Sequence, residues 1–190
     1  MGQPTEGALA LAVHDGDRGA VDTIVATYQD QMFGYAYRLL NNREDAQEVT
    51  QDTFIRAYQT LRSRYTPEQC ATLALRPWLF RITRNLALNR RRGGRTAAGA
   101  SDQTDRLESI PDRGRSPHQC LEEEDDRRRL EAALKKLSRQ NREIIVLRFI
   151  EECSYAEIAV VVGANEASVR GSAFRALRRL RAILSEQEDV

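Results

Sequence analysis

Residues 93–119 read GGRTAAGASDQTDRLESIPDRGRSPHQ, and no apolar side chain recurs there at a helical or strand spacing. The segment is rich in Gly, Ser, Thr, Asp and Pro, which is the composition of a flexible linker. No single hydrophobic core can run through it. The chain is therefore expected to form two units, residues 1–92 and 120–190, joined by 93–119. Each is long enough to bury a small core of its own.

Both flanking blocks carry apolar residues at steps of three and four. In the first, Val21, Ile24, Val25, Tyr28, Met32, Tyr35, Ala36, Leu39 and Leu40 mark one face of a long helix. Asn42 with Asp45 three residues on reads as an N-cap. The next face is expected to be Ala46, Val49, Phe54, Ala57, Tyr58 and Leu61. Residues 62–76, with Pro67 among them, break the pattern and read as a loop. Pro77 suits the first turn of a further helix, with Trp78, Leu79, Ile82, Leu86 and Ala87 turned inward.

In the second block the acidic run Glu122–Asp126 precedes Arg127–Arg129, the order that suits a helix start. Leu130, Ala133, Leu134 and Leu137 continue that helix. Ser138 can cap the next one, which carries Ile144, Ile145 and Leu147. Ser154 and Glu157 form a capping box ahead of Ile158, Ala159 and Val162. Gly163 is placed to end that helix in the left-handed conformation. Asn165 can cap the last helix, with Val169, Ala173, Ala176, Leu177, Leu180 and Leu184 buried. No segment alternates with a period of two, so the fold class is all-α.

The net charge of +1 conceals its distribution. Residues 76–95 hold Arg76, Arg81, Arg84, Arg90, Arg91, Arg92 and Arg95 with no acid. Residues 170–184 hold Arg170, Arg175, Arg178, Arg179 and Arg181, again with no acid. The remaining segments are acidic. Two separate positive stripes are the footprint of two phosphate contacts, although solvated helix faces can look the same.

The pattern at 154–184 is that of a helix–turn–helix: a short capped helix, a Gly turn and a longer basic helix. Arg170 lies in the first turns of the second helix, where base edges are read. Arginine paired to guanine is the commonest specific contact. Arg175 follows for a base or the backbone, and Arg178, Arg179 and Arg181 for phosphates. A helical hairpin with exposed arginines has the same pattern. On 77–92, Asn85 and Asn89 share one face at i and i+4. Amides and guanidinium groups there suit single-stranded or melted DNA, but spacing alone reads the asparagines as a solvated face and Trp78 as core.

Several functions are disfavoured. No nucleophile with a base, paired carboxylates or phosphate-binding Gly loop stands out, so no enzyme and no cofactor are expected. Cys70, Cys120 and Cys153 lack metal-ligand spacing, and His118 with Cys120 supplies too few ligands for a metal site. No run is long enough to insert in a membrane, and no signal peptide opens the chain. A reducing, cytoplasmic setting is expected.

The stretches REDAQEVTQDTFIRAY (43–58), RPWLFRITRNLALNRRR (76–92), LSRQNREIIVLRFIEECSYAEIAVVVG (137–163) and SVRGSAFRALRRLR (168–181) occur in one order. Together they resemble the extracytoplasmic-function (ECF) class of bacterial sigma factors, over about residues 17 to 184. The resemblance implies a factor that gives RNA polymerase its promoter specificity. The first block would be the sigma-2 domain. Asp45, Glu48, Gln51 and Asp52 would dock on the clamp helices of the largest subunit of core RNA polymerase. Arg81, Arg84, Asn85 and Asn89 would open and read the minus-10 element of promoter DNA. The loop 62–76, with Arg64 and Tyr65, would take up a flipped base, whose lost stacking must be regained in the pocket. The second block would be the sigma-4 domain. Arg170, Gly171, Ser172, Phe174, Arg175, Arg178 and Arg179 would meet the minus-35 duplex. The resemblance also implies an anti-sigma factor as partner.

Some residues depart from the family pattern. Gly171 stands where a polar side chain is usual, and Ser172 where Arg is common. Gly in a helix costs about 1 kcal/mol relative to Ala. The loop 62–76 carries Cys70 and the apolar Leu73 and Leu75. Two other readings fit parts of the sequence: an autonomous helix–turn–helix regulator, and an interaction-only helical adaptor. The first lacks an evident dimerisation or effector domain. The second leaves both arginine stripes without a role.

Overall fold

The computed structural model describes residues 4–97, 129–130 and 132–188. All regular structure among them is helical. The described residues fall in two compact units.

The first unit has five helices: α1 (Glu6–Asp15), α2 (Arg18–Leu40), α3 (Arg43–Ser63), α4 (Pro67–Ala71) and α5 (Leu75–Ala97). Local chemistry sets most of their ends. Gly16 closes α1 at φ 99°, a conformation glycine adopts at little cost. Asn41 ends α2 at φ 52°, and Asn42 then caps α3 by accepting from the Asp45 N–H at 3.0 Å. Two successive asparagines thus turn the chain between antiparallel neighbours. The apolar periodicity predicts no helix before residue 21, yet Glu6–Asp15 form α1. Its Ala10 and Val13 are nonetheless buried.

Helices α2, α3 and α5 enclose the core of this unit. Met32, Tyr35, Leu79 and Phe80 are fully buried, and the Tyr35 and Phe80 rings meet edge to face at 5.2 Å. The expected α3 face is corrected at two positions. Tyr58 is exposed and Phe54 only partly buried, while Thr53 is fully buried. The inward row runs through Ala46, Val49, Thr53, Ala57 and Leu61. At 3.6 residues per turn, positions 54 and 58 lie about 100° to its side. Thr53 and Thr83 place their hydroxyls 3.1 Å apart inside the core. Each also reaches the carbonyl one turn back, Val49 at 2.8 Å and Leu79 at 3.0 Å, so neither buried hydroxyl is left without a partner. On α5 the aromatic roles are exchanged as well: Phe80 is buried and Trp78 only half-buried.

Residues 62–76 hold the short helix α4 rather than loop throughout. Thr66 and Gln69 form a reciprocal capping box, with Pro67 at the first helical position. Cys70 and Leu75 are fully buried and anchor the segment. Helix α5 continues to Ala97, past the boundary expected at residue 92. The rest of the expected linker, with His118 and Cys120, lies outside the described residues, as does the acidic run 122–126.

The second unit includes a helical turn at 132–135, α6 (Arg139–Ile145), a π-helical turn (Val146–Ile150), α7 (Tyr155–Val162) and α8 (Glu166–Glu188). Ser138 caps α6 as expected. Its core joins Ala133, Leu134, Leu137 and Ile145 to Ala176, Leu180 and Ile183. Leu177 and Leu184 flank that core. The wider π turn buries Val146 and Leu147 and leaves Phe149 and Ile150 exposed. No helix among the described residues is long and apolar enough to cross a membrane.

Candidate nucleic-acid interfaces

The hinge of the second unit is built by three local devices. Ser154 and Glu157 make both bonds of the capping box at the start of α7. Gly163 ends α7 at φ 72°. A Cβ there would meet nothing within 4 Å, so the glycine serves the backbone angle alone. Asn165 then caps α8 by accepting from the Ser168 N–H at 2.7 Å. The result is a short bracing helix followed by a long basic one.

Helix α8 has two distinct sides. Val169, Ala173, Ala176, Leu180 and Ile183 are buried. Arg170, Phe174 and Arg178 follow one another at i+4 on the opposite side and are exposed. Arg175 and Arg179 are exposed beside them. Phe174 is 63% exposed, on the same side of the helix as Arg170 and Arg178. Gly171 is partly buried. Ser172, expected among the duplex contacts, is buried at 8% exposure. Its hydroxyl accepts from Arg175 Nη2 at 3.1 Å. Position 172 lies between 169 and 176 on the inward side, which is why the side chain turns in.

Glu166 was missed by sequence reasoning, although the i,i+4 signal was there. Its carboxylate pairs with Arg170 Nη2. The Arg170 guanidinium carbon also lies 5.3 Å from the Tyr155 ring centroid. Arg148 approaches the same ring at 5.2 Å and donates to the Cys153 carbonyl at 3.1 Å.

In the first unit, Arg81, Asn85 and Asn89 form an exposed i+4 row along α5, and Arg84 is half-buried. Arg64 is exposed at the C-terminal end of α3. The half-buried Tyr65 ring sits 5.6 Å from that of Trp78. An aromatic pair thus flanks the start of α5. The segment beneath it is tied to α1. Glu6 Oε2 accepts from the Leu75 N–H at 2.8 Å, and Glu6 Oε1 accepts from the Tyr28 hydroxyl at 2.8 Å. Gly7 permits that approach, since a Cβ there would stand 2.0 Å from the Ala71 carbonyl oxygen. Burial, and secondarily the Asp15 carboxylate, push the Cys70 thiol pKa up.

The four polar residues of α3 divide into two pairs. Gln51 and Asp52 are exposed. Asp45 and Glu48 instead meet Arg90 of α5, at 2.7 and 2.5 Å. Beside Gln51 an open groove of about 460 Å³ lies between α2 and α3, lined by Val25, Phe33, Phe54 and Ile55.

Known proteins share this organisation. Residues 24–96 match the sigma-70 region 2 family and residues 127–180 match sigma-70 region 4. The ECF RNA polymerase sigma factor SigE of Mycolicibacterium smegmatis is 33% identical, over 97% of this chain and 71% of its own length. The ECF sigma factor SigL of Mycobacterium tuberculosis is 32% identical, over 95% of this chain and 92% of its own. The solved structure of CnrH, in complex with the cytosolic domain of CnrY, superposes with a TM-score of 0.67 at 26% identity. That match covers 95% of this chain and 97% of the other. With both sigma regions present in order, and relatives 32–33% identical over nearly all of this chain, the chain belongs to the ECF RNA polymerase sigma factors of the sigma-70 family and directs transcription initiation.

Proposed function

We propose that this sigma factor divides its work as the sequence expects: residues 1–92 engage polymerase and the minus-10 element, 93–119 link, and 120–190 read the minus-35 duplex. The observation that carries the minus-35 half is the exposed row Arg170, Phe174, Arg178 on a helix whose other side is buried. Arg170 takes a base edge, and Arg175, Arg178 and Arg179 take phosphates. Phe174 suits apolar contact with a thymine methyl. Ser172 acts through Arg175, which it holds at 3.1 Å, and Gly171 leaves room for close backbone approach.

On α5, Arg81, Asn85 and Asn89 meet the melted minus-10 strand. Arg84 supports them from its half-buried position, and Arg64 with Tyr65 borders the flipped base. Gln51 and Asp52, with the adjoining groove, dock on the polymerase clamp helices. Asp45 and Glu48 join them by exchanging Arg90 for polymerase cations. An anti-sigma factor is the regulatory partner, and the similar CnrH is itself bound to a cytosolic domain, that of CnrY. The factor works in the cytoplasm, where polymerase is.

Run-off transcription with core polymerase on genomic fragments, with mapped start sites, tests this reading. Transcripts should start downstream of paired minus-35 and minus-10 elements shared among the fragments. Arg170→Ala should weaken one minus-35 base preference by about 1–3 kcal/mol. Equal loss at every substituted base would leave Arg170 as a phosphate contact only.

A further inference from the structure

The Arg170 guanidinium is held from two directions in the free protein. Glu166, one turn earlier on α8, pairs with its Nη2. The Tyr155 ring, from α7, stands 5.3 Å from its central carbon. Tyr155 is itself held in place, because Arg148 approaches the same ring at 5.2 Å and is fastened to the Cys153 carbonyl. A carbonyl, a guanidinium, an aromatic ring, a second guanidinium and a carboxylate therefore form one connected series across the helix–turn–helix.

The Arg170 and Glu166 side chains are 63% and 44% exposed. An ion pair that wet adds little to stability, so its consequence is geometric. An unheld arginine samples many rotamers and swings to the nearest phosphate, a contact with no sequence information. A held arginine meets a guanine without first being ordered. A guanidinium has five N–H donors. Glu166 engages one amine, and donors remain for a base edge. The carboxylate is partly exposed beside Arg170, so it would repel a DNA backbone docked on this side of α8 whatever its sequence.

We propose that Glu166 and Tyr155 are positioning residues that set the base discrimination of Arg170, and that Glu166 sharpens it while lowering affinity for unmatched DNA. The inference rests on the reading of α8 as the minus-35 helix. It adds a determinant that is absent from the arginine stripe itself.

The test uses holoenzyme, formed from core polymerase and the full chain, and a duplex promoter library with a randomised minus-35 element. Bound DNA is sequenced, and circular dichroism checks that each variant keeps its helix content. Wild type should show one position dominated by G·C, and Arg170→Ala should flatten it. Glu166→Gln should reduce the preference at that position alone by about two- to tenfold, the range for releasing one long side chain. It should also raise retention of unmatched duplexes. Tyr155→Ala should flatten the same position, and Tyr155→Phe should restore it, since the ring face needs no hydroxyl. If Glu166→Gln weakens every position equally, or leaves the preference intact, the proposal is overturned while the minus-35 reading stands. If Arg170→Ala changes no position, the reading of Arg170 fails and the proposal fails with it.

Discussion

Glu6 joins three helices through two oxygens, and replacing it should loosen the first unit where α5 begins. One oxygen accepts from the Tyr28 hydroxyl and the other from the Leu75 N–H, both at 2.8 Å. A hydrogen bond to a charged group contributes about 1.5–3 kcal/mol. Both bonds are part-buried, so water recovers a share when they are lost. Glu6→Ala should therefore cost about 2–3 kcal/mol, including the lost interaction with the α5 N-terminus. Glu6→Gln keeps an oxygen for Leu75 and an amide for the tyrosine hydroxyl, losing mainly the charge, and should cost about 1 kcal/mol. Trp78 is the single tryptophan of the chain and packs on Tyr65 beside the affected region. Its fluorescence in urea reports unfolding of this unit without the other. A double-mutant cycle with Tyr28→Phe should give a coupling of at least about 0.5 kcal/mol. The reasoning fails if Glu6→Ala shifts stability by less than that, or if the two substitutions add without coupling.

Three further outcomes follow from the same geometry. Gly163→Ala should destabilise the second unit by about 1–2 kcal/mol through the left-handed backbone alone, read from its thermal unfolding, since a Cβ meets no atom there. Thr53→Val and Thr83→Val should each cost about 0.5–1.5 kcal/mol in urea, and the double variant less than their sum, because removing both buried hydroxyls leaves neither facing an apolar wall. Burial first, and then the bond to Glu6, push the Tyr28 phenol well above its ordinary 10.0. Its folded-state pKa is raised, so its stabilisation is complete below pH 10 and falls as the pH rises beyond it, where the unfolded phenol ionises and the folded one does not. Urea midpoints of wild type should drop in that window more steeply than those of Tyr28→Phe; parallel curves would contradict this.

Much of the helix pattern was legible because its causes are close in sequence. The Asn42 cap, the Ser154–Glu157 box, the Gly163 stop and the Asn165 cap each involve residues within four positions. The exposed arginines of α8 were legible for the same reason. Periodicity was less reliable where a residue bordered its face. Phe54, Tyr58 and Trp78 are apolar enough to be placed inside, yet Thr53 and Phe80 hold the buried positions. The polar threonine is accepted in the core because its hydroxyl is satisfied twice, by the Val49 carbonyl one turn back and by Thr83, thirty residues away. The loop 62–76 misled for a related reason: its apolar Cys70 and Leu75 are fully buried, and α1, which fastens it, was not anticipated.

The sequence by itself determined that the chain is helical, that two blocks flank a linker composition, and where the positive stripes run. These are properties of neighbouring residues and of local charge, which the chain carries whether or not it is folded. The tertiary structure alone decided which charges remain outward. It spends Asp45 and Glu48 on Arg90, turns Ser172 inward to Arg175, and holds Arg170 against Tyr155. It also decided that Glu6 would cap a helix beginning 69 residues later. Such pairings depend on which helix faces meet, and that is fixed by packing of the whole unit rather than by any one segment.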